Sequence, residues 1–354
     1  MENEDNNMND SNSNYSDNDE ESSNNNNEYF ESYFDLNVHD VMLKDTTRTL
    51  AYRKAIEENV IDFKDKIVMD VGAGTGILSM FAAKCGAAKV YAIEASQMAP
   101  FTKSLVKANH LDHIITVVHK RVEDIDESDI PQGKVDVIIS EWMGFYLLHE
   151  SMLESVLDAR DRWLKPNGIL FPTKGDIKIA PVNLEQLMHE RVGHWSDVYG
   201  FDFSIFKDMS MHLLQSQPLI EYLKGDTVIS EPKDIIEIDF TKVTKEELRD
   251  IVVKNIPFSI DDERCTLIHG FAIWFNCYFV GSNSTVRLDT APGMPYTHWK
   301  QTTILLPDVI DVRGAGQIEI NIDMKQDEIN PRFYELSLSF PDDDDQDENA
   351  NEDQ

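Results

Sequence analysis

A glycine-rich turn between an apolar run and a helical stretch constrains the fold of this chain more than any other feature. The run Ile67–Val71 is typical of a buried strand, the turn GAGTG follows at 72–76, and Ile77–Cys85 is predicted to be a helix. A second predicted strand, Lys89–Glu94, completes a βαβ unit. The sequence therefore predicts an open α/β sheet of parallel strands, which binds ligands at the carboxyl ends of its strands.

The turn has the composition of a nucleoside-binding loop. Three glycines alternate in it: Gly72, Gly74 and Gly76. Glycine there lets the backbone approach a ligand that a Cβ atom would repel, although the dinucleotide pattern GxGxxG would need glycine at the position of Ile77. Asp70 precedes the turn, and Glu94 ends the second strand, where a carboxylate can bind the two hydroxyls of a ribose. A plain tight turn is the alternative, but the two acids favour a nucleoside cofactor.

Further alternating elements extend the predicted sheet. Helices are predicted at Met98–Asn109 and Ser151–Leu164, and strands at Ile114–His119, Val135–Ser140 and Gly168–Phe171. Glu123 lies just past the third strand. It is either an acceptor for the exocyclic amine of a base or a solvated carboxylate of a turn.

The periodicity changes after Pro172. Alternating and β-branched runs such as GDIKIAP and QIEINID predict a mostly antiparallel sandwich or barrel. The stretch Asn183–Leu214 interrupts them with helical periodicity and many aromatic residues and methionines. It is either a covering flap or, in the interpretation we favour, a dimer contact.

Two glutamates in an apolar loop are the main candidates for chemistry. Glu141 and Glu150 belong to SEWMGFYLLHESM, Ser140–Met152, here termed the double-glutamate loop. Solvated helix-face glutamates are the common alternative. However, carboxylates in apolar surroundings are costly unless a cation or hydrogen-bond donors meet them. The loop therefore predicts binding of a guanidinium group, whose forked donors match a carboxylate.

The ends of the chain are acidic and poor in apolar residues. Residues 1–28 contain no Lys or Arg, and residues 341–354 read PDDDDQDENANEDQ. Such segments cannot bury enough apolar surface to offset chain entropy, so both are predicted to be disordered tails. The segment 29–60 has aromatic and apolar residues at helical spacing, which predicts core packing or a helical lid over the site.

Charge and cysteine usage limit the partners. There are 65 acidic and 32 basic residues, giving a net charge of -33, which argues against nucleic acid and favours cationic partners. Cys85, Cys265 and Cys277 are scattered without zinc-site spacing, so we expect no metal and a reducing compartment. No apolar run reaches about 18 residues, so no membrane span is expected.

Together these motifs resemble the protein arginine N-methyltransferases, and among them the type I enzymes, which form asymmetric dimethylarginine. VMDVGAGTG resembles the family's S-adenosylmethionine motif, the double-glutamate loop resembles its catalytic loop, and YTHWKQT, Tyr296–Thr302, resembles its Thr-His-Trp loop. The similarity covers about 29–340. GAGTGILS, LLHESML and HGFAIWF are most similar to the nuclear histone-methylating branch.

The resemblance implies a domain organisation. After the tail at 1–28 and the lid at 29–60, a Rossmann-like class I methyltransferase domain would occupy 61–172. A mostly antiparallel β-barrel domain at 173–340 would follow, with a helical dimerisation arm at about 183–214 and the second tail at 341–354.

The resemblance also assigns residue roles by position. The cofactor contacts would be His39, Arg48, Asp70, Gly72, Gly74, Gly76, Glu94 and Glu123. The catalytic residues would be Glu141, Glu150, His298 and Asp45, and the substrate pocket would include Tyr33, Met42, Met143, Met152 and Trp299. Arg48 would bind the cofactor's carboxylate, and Met42 lies where the symmetric-dimethylating type has Phe. Judged from the residues alone, a histidine such as His298 is more often structural.

The implied function is S-adenosylmethionine-dependent methylation of protein arginines in histones and Gly/Arg-rich proteins, by a homodimer in the nucleus and/or cytoplasm. Two alternatives remain open. A methyltransferase of a small molecule or RNA would not need two acids in an aromatic pocket, and RNA would require a basic face. A non-catalytic binder of basic proteins would not need the intact glycine turn.

Overall fold

The computed structural model describes residues 35–260 and 267–341. The predicted tail at 1–28, the predicted tail at 341–354 apart from Pro341, and Tyr33 lie outside the described residues. Within the described residues, no helix combines the length and apolar character needed to cross a bilayer.

The N-terminal part of the described chain is helical. It contains α1 (Leu36–Lys44), α2 (Thr46–Glu58) and α3 (Val60–Phe63). Asp35 caps α1 by accepting a hydrogen bond from the amide of Asn37 at 2.9 Å, and Asp45 caps α2 by accepting from the amide of Arg48 at 2.9 Å. These two caps fix where each helix begins.

A parallel sheet follows, with helices between its strands. The strands are β1 (Ile67–Val71), β2 (Lys89–Ile93), β3 (Ile115–Val118), β4 (Val135–Ile139) and β5 (Leu164–Phe171); the helices are α4 (Ile77–Lys84), α5 (Ala99–Ala108) and α6 (Leu153–Trp163). The strand order is β3-β2-β1-β4-β5, and every pair is parallel. The expected Rossmann-like sheet is confirmed, because β-branched runs that are buried on both faces specify parallel strands.

The second half of the chain is mostly antiparallel. Its strands are β6 (Lys174–Val182), β7 (Leu219–Glu221), β8 (Lys233–Asp239), β9 (Asp250–Ser259), β10 (Leu267–Val280), β11 (Thr285–Asp289), β12 (Gln301–Asp311), β13 (Gln317–Gln326) and β14 (Tyr334–Ser339). One sheet has the order β7-β12-β10-β6-β8 with β11 paired to β10, and the other has the order β14-β13-β9. This is the antiparallel domain that the alternating pattern predicts.

The predicted arm consists of short helices. These are α7 (Glu185–Arg191), α8 (Lys207–Gln215) and the 3-10 turns Gly193–Ser196 and Ser204–Phe206. Tyr199 and Ile205 are 98% and 85% exposed, and no residue of α7 or α8 is buried. An apolar segment this exposed has the character of a contact surface.

The N-terminal helices are fastened to the antiparallel domain through Asn59. Its side-chain amide donates to the carbonyl of Ser284 at 3.1 Å and accepts from the amides of Asn283 and Ser284 at 3.0 and 2.8 Å. Asn59 is fully buried, so leaving any of these groups unpaired would be costly. The connection between β10 and β11 therefore fixes the position of α2.

Candidate active site

A cleft of about 1200 Å³, counting its open mouth, lies at the carboxyl ends of β1, β2 and β4. The predicted site residues that line it are His39, Met42, Arg48, Gly72, Gly74, Glu94, Glu123, Glu141, Met143, Met152 and His298. Strands β1 and β4 are neighbours in the sheet, and the strand order reverses between them. A crevice at such a reversal is where open α/β sheets bind ligands.

A side chain at Gly72 or Gly74 would crowd neighbouring residues of the cleft. At Gly72, φ is 68° and an added Cβ would lie 2.5 Å from Cε of Met152. At Gly74, φ is 52° and the Cβ would lie 3.3 Å from Cε1 of His39. Gly76 does not line the cleft; its φ of 79° lets it begin α4. The turn therefore presents its main chain to the cleft.

Asp70, which the resemblance assigns to the cofactor loop, accepts hydrogen bonds from a side chain and an amide of α4. It does not line the cleft, and its Oδ2 accepts from the amide and hydroxyl of Ser79 at 2.9 and 2.6 Å. Burial raises the pKa of Asp70 to about 7, against the hydrogen bonds from Ser79 and with a contribution from the negative charge of Glu94. Because β1 ends directly beneath the turn, this carboxyl group ties β1 to α4 and supports the loop from below.

Glu94 closes the turn from the side of β2. Its Oε2 accepts from the amide of Gly74 at 2.7 Å, and its Oε1 accepts from the amide of Ser96 at 2.8 Å. A carboxylate oxygen has more than one acceptor position, so both oxygens can still accept from ligand hydroxyls. The position of Glu94 in the cleft suits the predicted ribose contact.

Glu123 enters the cleft from the 3-10 turn Val122–Asp124, here termed the Glu123 turn. Its Oε1 accepts from the hydroxyl of Ser155 at 2.6 Å. Burial alone would raise the pKa of Glu123. The hydrogen bond from Ser155 and the charge of Arg121 lower it by more than that, so the pKa lies below its usual value. The Glu123 side chain is therefore an ionised acceptor that lines the cleft.

Glu141 forms an ion pair with Arg48, between NH1 of the guanidinium and Oε2 of the carboxylate. The side chains are 7% and 13% exposed for Arg48 and Glu141. Nε of Arg48 is buried and has no hydrogen-bond partner. Because this buried N–H donor has no partner among the described residues, the guanidinium is suited to bind a second anionic group in the cleft.

Contacts from both sides hold the double-glutamate loop. The hydroxyl of Tyr52 donates to the carbonyl of Ser140 at 2.8 Å, and burial raises the pKa of Tyr52 well above its usual value, which keeps it a donor. The indole Nε1 of Trp299 donates to the carbonyl of Met143 at 2.9 Å. Trp299 is buried and does not line the cleft, so it supports the predicted pocket from behind.

Glu150 does not join Glu141 in the cleft. It is exposed, has a φ of 55°, and its amide donates to the carbonyl of Arg332 at 2.6 Å. NH1 of Arg332 in turn donates to the carbonyl of Ser151 at 3.2 Å. The expectation that both carboxylates face one pocket is not met in this conformation, because the segment before β14 holds the main chain at Glu150 away from the cleft.

Asp45 and His298 form the predicted link between the N-terminal helices and the barrel domain. Oδ2 of Asp45 lies 2.8 Å from Nδ1 of His298 and accepts from the His298 amide, also at 2.8 Å. Burial raises the pKa of Asp45, but the hydrogen bonds from His298 and Arg48 outweigh it, so the pKa lies below its usual value. With Nδ1 donating to this carboxylate, Nε2 is the acceptor nitrogen of the ring.

Known proteins share both halves of this structure. A methyltransferase domain model matches residues 68–168, and a model of the arginine methyltransferase oligomerization subdomain matches residues 173–345. The chain is 42% identical over 335 residues to a probable protein arginine N-methyltransferase 6.1 of Oryza sativa subsp. indica, covering 88% of this chain and 86% of that protein. Protein arginine N-methyltransferase 1 of Caenorhabditis elegans is 40% identical over 314 residues, with 88% and 87% covered.

The chain belongs to the protein arginine N-methyltransferase family. A solved structure, the Trypanosoma brucei PRMT1 enzyme-prozyme heterotetrameric complex with AdoHcy, has a TM-score of 0.74 and 35% identity, covering 88% of this chain and 96% of that one. The expected family, the fold and S-adenosylmethionine as the cofactor of this arginine methyltransferase are confirmed.

The residues of the cleft fit this cofactor. The unsatisfied Nε of Arg48 suits a carboxylate, Glu94 suits ribose hydroxyls, and Glu123 suits an exocyclic amine. The main chain at Gly72 and Gly74 lies between them, without the side chains that would fill the space. Among the described residues, no three His, Cys, Asp or Glu side chains are grouped to hold a metal ion.

Tyr52, Ser155 and Ser79 are among the residues of the arginine methyltransferase site that were not predicted. Tyr52 and Ser155 line the cleft, and Ser79 is the partner of Asp70. Tyr52 could have been found, because it follows Arg48 by one helical turn in a segment already predicted to be a lid. The two serines carry no sequence signal that separates them from other helix residues.

Proposed function

We propose that this arginine methyltransferase is a type I enzyme that forms mono- and asymmetric dimethylarginine in histones and Gly/Arg-rich basic proteins. The observation that carries the proposal is the position of Glu141, a carboxylate that is 13% exposed in a cleft shared with the glycine turn. A carboxylate placed there requires a cation, and Arg48 now supplies it. A substrate guanidinium presents the same planar donors.

The ion pair between Arg48 and Glu141 suggests an exchange of partners. When bound, S-adenosylmethionine supplies an electrophilic methyl group on a sulfonium and a carboxylate. Arg48, whose Nε has no partner in the described part of the chain, would hold that carboxylate, and Glu141 would bind the substrate guanidinium. Because the guanidinium pKa exceeds about 12, Glu141 acts by drawing positive charge toward two of the nitrogens, which leaves the lone pair of the third available to attack.

In this proposal Glu150 binds the substrate guanidinium together with Glu141. It is exposed in the present structure, so the proposal requires the double-glutamate loop to turn Glu150 inward when a substrate binds. Positive φ angles at Tyr146, Leu147 and Glu150 show that this loop is built from tight turns, which can rearrange about a few dihedral angles.

His298, oriented by Asp45, receives the proton that the methylated nitrogen releases. Asp45 holds Nδ1 of His298 at 2.8 Å, so Nε2 is the nitrogen that can accept. His298 lines the cleft, with its side chain 20% exposed, which gives the proton a path to water.

Type I chemistry is supported by Met42, which lines the cleft. The family resemblance places Phe there in the symmetric-dimethylating type. A flexible, unbranched thioether leaves room for an already methylated nitrogen to receive a second methyl group.

The exposed apolar residues of the arm support a homodimer. Tyr199, Ile205 and Leu213 are 98%, 85% and 67% exposed, and the matching subdomain model is described as an oligomerization subdomain. The net charge of -33 suits basic protein partners. We also propose a nuclear and/or cytoplasmic location, since scattered cysteines suit a reducing compartment.

The test is incubation of the full chain with methyl-labelled S-adenosylmethionine and a Gly/Arg-rich or histone H3 peptide. Mass spectrometry should find monomethylarginine and asymmetric dimethylarginine. A matched peptide with each Arg replaced by Lys should remain unlabelled. Symmetric dimethylarginine would overturn the type I assignment, and label on another residue or none would overturn the choice of substrate.

A further inference from the structure

The guanidinium of Arg162, on helix α6, donates hydrogen bonds to main-chain carbonyls of the Glu123 turn. NH1 of Arg162 donates to the carbonyls of Val122 and Glu123 at 3.3 and 2.8 Å, and NH2 donates to the carbonyl of Ile125 at 2.8 Å. A single turn of 3-10 helix leaves its carbonyls without partners of its own, and a planar guanidinium satisfies several of them at once. One side chain therefore fixes the whole turn.

A second contact from the same helix fixes the carboxylate. Ser155 donates to Oε1 of Glu123 at 2.6 Å and lies seven positions before Arg162, so both side chains lie on one face of α6. Between them, Oδ2 of Asp158 accepts from NH1 of Arg162 at 2.9 Å and orients the guanidinium. The main chain and Oε1 of Glu123 are thus held from one rigid element, while Nε of Arg121, within the same loop, lies 3.4 Å from Oε2.

The start of α6 adjoins the double-glutamate loop. Met152 is the N-cap of α6, lines the cleft and accepts from the amide of Ser155 at 3.1 Å. A shift of α6 therefore moves the end of the loop and the Glu123 carboxylate together.

We propose that Arg162 is a positioning residue that sets the direction of the Glu123 carboxylate and so determines the selectivity of this arginine methyltransferase for a cofactor with an exocyclic amine on its base. The inference rests on the proposed role of Glu123 as acceptor from that amine. Arg162 does not line the cleft, so it acts on the ligand only through the turn. The side chain of Arg162 is 38% exposed, so its replacement changes the turn more than the core.

The experiment compares the affinity of the full chain for S-adenosylhomocysteine with its affinity for S-inosylhomocysteine, which has a carbonyl in place of the amine, by calorimetry. Arg162→Lys keeps the charge but loses the planar set of donors, and it should reduce the ratio of the two affinities about fivefold. Arg162→Ala, which loses the charge as well, should reduce the ratio about tenfold. Arg160→Lys is the matched control. Arg160 donates to the carbonyls of Phe240 and Val243 from the same helix, so its replacement tests loss of a guanidinium without loss of the Glu123 turn.

The outcomes separate this inference from the function on which it rests. Glu123→Ala should abolish the preference for the amine; if it does not, the role of Glu123 is wrong. If Glu123→Ala removes the preference while Arg162→Ala leaves it intact, Arg162 has only a structural role and the inference is overturned. An equal loss of preference in Arg160→Lys would also overturn it, because the effect would then come from α6 in general.

Discussion

The guanidinium of Arg48 binds the carboxylate of Glu141, joining the helix α2 to the double-glutamate loop across 93 positions of sequence. The resemblance assigns these two side chains to different ligands, the cofactor and the substrate. Here the two side chains pair with each other. This pairing leaves neither of the two largely buried charges uncompensated in the cleft.

Glu141→Gln should strongly reduce methyl transfer while the cofactor still binds. The amide retains the shape of the side chain but cannot draw charge from a guanidinium, so kcat should fall on the order of 100- to 1000-fold. Calorimetry with S-adenosylhomocysteine should show little change, because Arg48 remains. The matched variant Glu150→Gln should lose activity to a similar depth, and wild-type turnover in either variant would remove that glutamate from the mechanism.

Gly144→Ala should inactivate the enzyme by steric conflict in the loop. A Cβ at Gly144 would lie 1.4 Å from the main-chain oxygen of His149, so the two arms of the loop cannot stay together. Displacing catalytic groups by about 1 Å costs on the order of 100-fold in rate. Gly225→Ala is the control, since its Cβ would meet nothing closer than 3.6 Å. Equal activity in both variants would show that the loop does not need this turn.

Asp70→Asn should flatten the dependence of stability on pH. The folded pKa of Asp70 is about 7 against 3.8 for the unconstrained group, so between these values the folded protein holds a proton that the unfolded chain has released. The free energy of unfolding therefore falls as pH rises through this window, and the loss is complete above pH 7. Between pH 5 and pH 8 the wild type should lose roughly 3 kcal/mol more than the variant in urea titrations. A parallel pH dependence of the two proteins would show that Asp70 is ionised throughout.

Asp45→Asn and His298→Ala should reduce turnover through one shared interaction. Asparagine can still cap α2, but it is a poorer acceptor for Nδ1 of His298. The variant therefore weakens the contact with His298 while it preserves the helix cap. Each variant should cost about tenfold in kcat, less than the loss expected for Glu141→Gln. The double variant should be no slower than the slower single one. Additive losses would mean that the two residues act independently.

The local parts of this structure were predictable from the sequence. Strand β1 has the predicted bounds Ile67–Val71, and α4 ends one residue earlier than predicted, at Lys84. A continuous β-branched run and a glycine turn specify these elements through short-range sterics. Helix α6 was less well bounded, because it ends at Trp163 and β5 begins directly at Leu164 without an intervening turn signal.

The choice of partners was not predictable in the same way. That Asp70 would accept from Ser79 depends on how α4 packs over β1. That Glu150 would be exposed depends on the carbonyl of Arg332, which belongs to the other domain. The sequence shows which side chains can make such contacts, but several equivalent partners exist, and only the packing of distant segments selects among them.

The hydrogen bond from the indole of Trp299 to Met143 makes the two halves of the chain interdependent. A fragment ending at Phe171 would retain the glycine turn, but its double-glutamate loop would lack the hydrogen bond from the indole of Trp299. Catalytic competence should therefore depend on both halves, and exchanging the second half for an unrelated domain should remove methyl transfer even where the glycine turn is intact.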